Sequence, residues 1–287
     1  MLAQAGPYTQ YLKADALRDK RFGVPAFILA GTGIPFHGLH ASIPERVAAR
    51  EQAQAAMPLR PETRAAFMTA LDALRALGAT VVIDDTILPA SFARIASRVG
   101  TYPYVRQGTE QFLAQFGPAE YRSVGAYAAA VGAPFSPITA GDDRHIGTIA
   151  GIPVPHRRLD TDPRAEANYR GPRRRTLAAY LEPLDRLQLD GYVYPAIQMP
   201  PPDETMPQDG GLSGGPHSAT SWVNMIGVPA VVVPGGWYAG GLPFGLEFSA
   251  RPWKDGDLLG FAYAWEQATR HRRPPVLVEQ GLLPTAP

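Results

Sequence analysis

There is no cysteine in this 287-residue chain. A disulfide framework, a thiolate metal site and a cysteine nucleophile are therefore excluded, and the redox compartment stays open. Lysine is scarce as well: it occurs at positions 13, 20 and 254 among 27 basic residues. The remainder are arginines, which stay protonated near neutral pH and cannot act as a general base as a buried lysine can. Charge of one sign is missing too. The formal net charge is +1, which gives no reason to expect a nucleic-acid partner or an acidic membrane surface. The local exception, Arg173-Arg174-Arg175, follows Gly171-Pro172 and precedes a helical pattern, and it reads as a solvated helix start. No apolar run approaches the ~18 residues of a membrane span, and no charged-then-apolar leader opens the chain. The expectation is a soluble cytoplasmic protein with no membrane span.

What is present is a chain that is 45% hydrophobic, enough to bury a sizeable core. Lys20 to Pro25 reads as a short buried strand. PETRAAFMTALDALRALGA, from Pro61, carries Phe67, Leu71, Leu74 and Leu77 at helical spacing, with Gly78 as its stop. Thr80 to Ile83 then predicts a buried strand, an order that points to an α/β domain with parallel strands. Between 90 and 150, aromatic residues at 92, 102, 104, 112, 116, 121 and 127 predict short helices with those rings in the core. Turns fall at Gly117-Pro118 and Gly132-Ala133-Pro134.

A further helix runs from Arg174 through Leu187, followed by a short strand at Tyr192-Val193-Tyr194. The long loop from Gln198 to Gly215 is rich in proline and glycine, and loops of that length in a compact domain are commonly functional or mobile. A helix near Ser218 to Met225 leads to a buried strand at Pro229 to Pro234, a turn at Gly235 to Gly241 and a strand at Leu242 to Phe248. Asp255 is expected to cap a last helix with Leu258, Leu259, Ala262, Trp265 and Ala268 on one face. The whole predicts a single α/β domain over residues 1–287, with a mixed, largely parallel sheet flanked by helices.

Within the long loop, GGLSGGPHS contains the G-x-S-x-G pattern of a serine nucleophile elbow around Ser213. An elbow needs a strand before the serine and a helix after it. Pro216 suits a first helical turn. The preceding PPPDETMPQD, however, cannot donate the hydrogen bonds of a central strand. The available triad partners, Asp255 or Asp257 and His271, lie on the last helix or beside it. Asp257 and His271 would stand about 21 Å apart along a helix axis at ~1.5 Å per residue, while a triad carboxylate must touch its imidazole. Ser213 is thus a low-ranked catalytic alternative. His37-x-x-His40 has metal-like spacing but no nearby acid, and Asp142-Asp143-Arg144-His145 reads as a solvated loop. No phosphate-binding G-x-x-x-x-G-K-[ST] occurs. No metal and no cofactor is expected.

The C-terminal third, N-M-I-G-V-P-A-V-V-V-P-G-G (Asn224 to Gly236), then L-P-F-G-L-E-F and D-G-D-L-L-G-F-A-Y-A-W-E, resembles the end of amidase signature enzymes. A-L-R-D-K-R-F-G-V-P near the start, the P-E-T-R helix and the passage from Tyr180 to Pro195 are similar to earlier segments of that family, in the same order. The resemblance implies an α/β enzyme fold that hydrolyses carboxamides through a serine–cis-serine–lysine triad. In that triad, a neutral lysine relays a proton through a bridging serine and glycine-rich backbone amides hold the oxyanion. The family's lysine-ended strand, G-G-S-S-G-G loop and G-G-S-I-R segment have no counterpart here. No tandem Ser-Ser occurs, and no lysine ends a strand.

The resemblance therefore implies a C-terminal half, truncated or split, that walls a substrate channel and is inactive alone. By position, Gln198, Met199, Ser218, Thr220, Trp222 and Asn224 are its channel candidates. Trp222 and Val223 read equally well as plain core, and Ser218 as a helix cap. A small-molecule amide is the implied substrate once an N-terminal half is supplied. A protein partner, or self-association through an exposed apolar face, is the other expectation. A binding module without chemistry and an independent serine hydrolase using Ser213 stand as alternatives.

Overall fold

The computed structural model describes residues 7–35, 38–56, 58–133, 145–201, 221–274 and 276–282. In chain order the elements are β1 (Arg21–Val24), α1 (Ala26–Leu29), α2 (Glu45–Gln54), α3 (Pro61–Ala76), β2 (Thr80–Ile83), α4 (Ala90–Ala96), α5 (Val105–Phe116) and α6 (Val124–Val131). There follow β3 (His145–Ile149), β4 (Ile152–Pro155), α7 (Gly171–Arg186), β5 (Gly191–Pro195), α8 (Ser221–Ile226), β6 (Ala230–Trp237), β7 (Pro243–Ser249), α9 (Asp255–Thr269) and α10 (Val276–Glu279). They fall into two compact units, one of residues 1–31, 57–89 and 181–287, the other of residues 32–56 and 90–180. Among the described residues no helix is long and apolar enough to cross a membrane.

The first unit is built on a five-stranded sheet of order β2-β1-β5-β7-β6. β1 pairs in parallel with β2 and with β5. β7 runs antiparallel to both β5 and β6, so four of the five strands share one direction. The sheet is mixed and largely parallel, and helices flank it. On one face lie Phe22, Val24, Val193, Leu246 and Phe248, covered by α3 and α9. α3 offers Phe67, Ala70, Leu71 and Leu74 at helical spacing and begins with a proline whose missing N–H costs nothing there. It stops at Gly78, whose φ of +88° is left-handed. The Phe22 ring meets Phe248 and Phe261 edge-on at 5.3 and 5.1 Å. Each such fully buried ring stabilises the fold by roughly 1.5–3 kcal/mol.

Several expectations are corrected in this unit. β2 and β6 were expected to be buried, but both are edge strands: Ile83 is 47% exposed and Val232 51%. A continuous apolar run does not distinguish a central strand from an edge whose outer flank has no neighbour. The expected turn from Gly235 begins later, because β6 continues through a register irregularity between Pro234 and Gly236 and reaches Trp237. Asp255 does not cap α9. Lys254 holds the cap position without a side-chain bond, and Asp255 and Asp257 lie in the first turn, where the helix dipole favours them. The buried stripe of α9 is Leu258, Phe261, Ala262 and Trp265, whereas Leu259 and Ala268 face solvent.

The second unit contains α2, α4, α5, α6 and an antiparallel β3–β4 hairpin absent from the sequence reading. Leu39, Ile43, Ala48, Ile149 and Val154 form an apolar cluster in it. Gly117 ends α5, and Gly132, at φ +67°, ends α6 as expected. Phe112 and Phe116 are 60% and 65% exposed, contrary to their expected place in the core. They sit four residues apart on α5 and contact each other at 5.5 Å on its outer side. At the start of α7, the arginine run is solvated, with Arg174 exposed and paired to Glu166.

Asn168, in a wide helical turn at Glu166–Arg170, pins the second unit together from a buried position. Its Oδ1 accepts from the Ala41 amide at 2.9 Å, its Nδ2 donates to the Tyr104 hydroxyl at 3.3 Å, and its carbonyl accepts from the Gly100 amide at 2.8 Å. The Tyr104 hydroxyl in turn donates to Asp162 at 2.6 Å. Burial, reinforced by that carboxylate, pushes the Tyr104 phenol up to about 12. Truncating a buried residue with several bonds leaves its partners unpaired, at about 1–3 kcal/mol each. Asn168→Ala is expected to destabilise the protein by roughly 2 kcal/mol in urea unfolding. The exposed control Asn224→Ala should stay within about 0.5 kcal/mol.

Candidate functional site

The channel candidates divide sharply. Ser213, Ser218 and Thr220 lie outside the described residues, as does His217 beside the G-x-S-x-G pattern. Gln198 and Met199 follow β5, where the chain leaves the sheet. The Gln198 carbonyl accepts from the Arg60 amide at 3.0 Å. Its side chain is buried, and its Oε1 has no hydrogen-bond partner among the described residues. Met199 is half-buried and Asn224 is exposed on α8.

Trp222 and Val223 are both buried. The Trp222 indole packs edge-on against Phe27 at 5.9 Å and tilts against the Tyr194 ring at 5.6 Å. Trp222 therefore packs within the unit. The reason is local: α8 is short, and its Trp222, Val223, Met225 and Ile226 are all buried.

These contacts lead to a group that the sequence reading missed. Alternation along β7 sends Leu246 and Phe248 to the face under α3 and α9, and Glu247 to the opposite face. There Glu247 stands directly across from Tyr194 of β5, whose hydroxyl donates to its Oε1 at 3.0 Å. Glu247 is 1% exposed, and its Oε2 has no hydrogen-bond partner among the described residues. Burial pushes its carboxyl up to about 8, with the Tyr194 hydroxyl pulling modestly the other way. At neutral pH it is therefore a neutral acid, able to donate from one oxygen while accepting at the other. A signal was present in the sequence: a single acid inside the apolar run PFGLEFS.

Among the described residues, the other titratable candidates do not assemble into a catalytic set. His40 is buried, and its Nδ1 lies 2.5 Å from the hydroxyl of Ser42, two residues along the same loop. His37 lies outside the described residues. No group of three His, Asp or Glu side chains suited to a metal occurs among the described residues. Lys20 is committed to Asp190 at 3.1 Å, and Lys254 to Asp257 at 3.1 Å.

Glu247 makes stability depend on pH in a direction opposite to the usual carboxylate. Its folded-state value of about 8 lies above the ordinary 4.5, so the folded chain holds a proton that the unfolded chain releases. The stabilisation is fully present below about pH 4.5 and is lost as the pH rises through about 8. At ~1.4 kcal/mol per unit of difference, the loss is on the order of a few kcal/mol. Glu247→Gln keeps the shape and an acceptor for Tyr194 without the titration. Unfolding free energies at about pH 5 and pH 8.5 should show the wild type losing stability relative to Glu247→Gln across that interval.

This fold and its sequence are similar to those of known proteins. A family model described as Amidase matches residues 42–259. A stretch of 49 residues is 53% identical to a glutamyl-tRNA(Gln) amidotransferase chain of Roseobacter denitrificans, covering 17% of this chain and 10% of that protein. A peptide amidase in complex with the competitive inhibitor chymostatin aligns with a TM-score of 0.52 at 23% identity, over 93% of this chain and 47% of that one. Native peptide amidase from Stenotrophomonas maltophilia aligns with a TM-score of 0.50 at 22% identity, over 93% and 46%. The chain thus spans just under half the length of the solved structures it resembles, and its match to the curated relative spans a tenth of that protein. At these identities the structures speak for the fold. Since the family match takes in most of the sequence, from the second unit through the start of α9, this chain belongs to the amidase signature family.

Proposed function

We propose that this chain forms the C-terminal half of a carboxamide hydrolase, contributing a wall of the substrate channel while the catalytic lysine and serines come from residues outside these 287. One observation carries this reading: the amidase match runs over residues 42–259, yet the chain contains no tandem serine and no lysine at the end of a strand. Each lysine has another place. Lys13 precedes β1, Lys20 leads into it and pairs with Asp190, and Lys254 precedes α9. The structural neighbours' description as peptide amidases supports a carboxamide as the substrate class. Gln198 and Met199, a few residues after β5, remain the described residues best placed by sequence to face such a channel, with Asn224 on α8.

The 287-residue chain alone is expected to show no turnover of simple aryl or fatty amides in an ammonia-release or chromogenic assay. Ser213→Ala is expected to leave that baseline unchanged. Turnover that Ser213→Ala abolishes would overturn the proposal and establish an independent serine hydrolase. Supplying in trans an N-terminal amidase half, with its lysine and G-G-S-S-G-G loop, is the positive arm, and hydrolysis is expected there.

The same reading proposes that the isolated chain associates through apolar surface. Ile83 and Val232 on the two sheet edges, with Leu242 and Trp253, are large exposed side chains of the first unit. Sedimentation velocity is expected to show dimers or larger species, and hydrophobic dyes are expected to bind; a dye-silent monomer would count against it.

A further inference from the structure

Beyond the sheet, the first unit holds a concavity of about 690 Å³ where the β6–β7 turn meets the segment following α9. Its size is that of a small-molecule site. The walls are flat and largely apolar: Trp237 from the end of β6 and Tyr238 from the turn, with Pro234, Pro243 and Pro274. Both rings are held in place. The Trp237 indole N–H donates to the His271 carbonyl at 3.0 Å, and the Tyr238 hydroxyl lies 3.1 Å from Thr63 Oγ1.

Among the described residues, the arginines around this hollow have no acid partner. Arg272 and Arg273 both line it and are exposed, and neither forms an ion pair among the described residues. The Arg273 guanidinium sits over the Trp237 ring, 5.1 Å from its centroid. A guanidinium stacked on an aromatic face keeps its N–H donors at its rim, where they can meet a carboxylate as a fork. Stacking also lowers the entropy lost when those donors are used. Burial first and Arg273 second push the His271 pKa down, which favours its neutral form. Glu279 is the single acid in the lining. Two cations against one carboxylate favour a monoanion over a dianion.

The geometry points to a binding site for a small aryl carboxylate, its flat apolar body against Trp237 and the prolines and its carboxylate on Arg272 and Arg273. The amidase reading does not absorb this site, and the site requires no catalytic half. None of its residues belongs to the channel candidates.

The test uses the 287-residue chain with benzoate, benzamide and acetate as probes, followed by NMR of the indole N–H signals. Trp237→Phe identifies the Trp237 signal among the four tryptophans. Benzoate is expected to shift that signal saturably. Benzamide, of the same shape without the charge, and acetate, with the charge but no ring, are each expected to bind at least about tenfold more weakly, as losing a charge-assisted bond or a buried ring implies. Arg272→Gln and Arg273→Gln should each weaken benzoate by about tenfold without moving the melting temperature, since both side chains are exposed. The inference is overturned if benzoate causes no saturable shift, if benzamide or acetate binds as tightly as benzoate, or if both arginine variants retain full affinity.

Discussion

Everything in the first unit hangs on β5. Its five residues, Gly191 to Pro195, are all buried. It is the central strand, paired in parallel with β1 on one side and antiparallel with β7 on the other. Because side chains alternate along a strand, β5 needs a cover on both faces. Val193 finds it under α3 and α9, in the main apolar cluster. Tyr192 and Tyr194 point the other way, and Tyr194 is covered by Trp222 of α8. A tyrosine buried on such a face needs a partner for its hydroxyl, and Glu247 of the neighbouring strand supplies it. The acid stays protonated because no cation among the described residues offsets its burial, and desolvation decides its state. One central strand thus dictates a second hydrophobic layer and the ionisation of a residue on the next strand.

Family membership and the residues of the chain pull apart in an instructive way. The resemblance to amidases rests on segments that build sheet and helices: the β1 strand, the α3 helix, the step from α8 to β6 and the α9 helix. Those segments carry packing residues such as Phe22, Leu71, Val233 and Trp265, all within the same apolar cluster. Hydrolysis of an amide needs a nucleophile, a proton relay and oxyanion donors in contact. Residues that pack a sheet provide none of these. Function belongs to sites, not to the scaffold that bears them, so the proposed role of this chain is that of a wall rather than of a catalyst.

Much of the scaffold was legible in the sequence. Phe67, Leu71 and Leu74 at helical spacing before Gly78, the run Tyr192-Val193-Tyr194 before Pro195, and the glycines at 117 and 132 each announced an element or its end. Local chemistry sets those features. What escaped depended on neighbours distant in the chain. The valines of β6 and the residues of β2 look as apolar as those of β5, and only the strand order makes them edges. Phe112 and Phe116 read as core because aromatic side chains usually are, but residue type alone does not say which side of a helix is covered. The β3–β4 hairpin follows a stretch without strong alternation and gave no readable pattern.

The candidate site shows the same boundary. The expectation that no strand feeds Ser213 comes from PPPDETMPQD, since prolines cannot pair in a ladder, and it falls on residues outside the described ones. That Glu247 would be buried and neutral could not be reasoned from sequence, because it depends on the register of β7 against β5 and the ring of Tyr194 opposite it. By itself, the sequence determined where α3, β5 and the ends of α5 and α6 fall, which chemistry is excluded by missing cysteine and scarce lysine, and which family the chain resembles. Only the tertiary structure decided which strands are edges, which acid is desolvated and which arginine lies on Trp237. Those outcomes depend on contacts between residues far apart in the chain, and no local pattern encodes them.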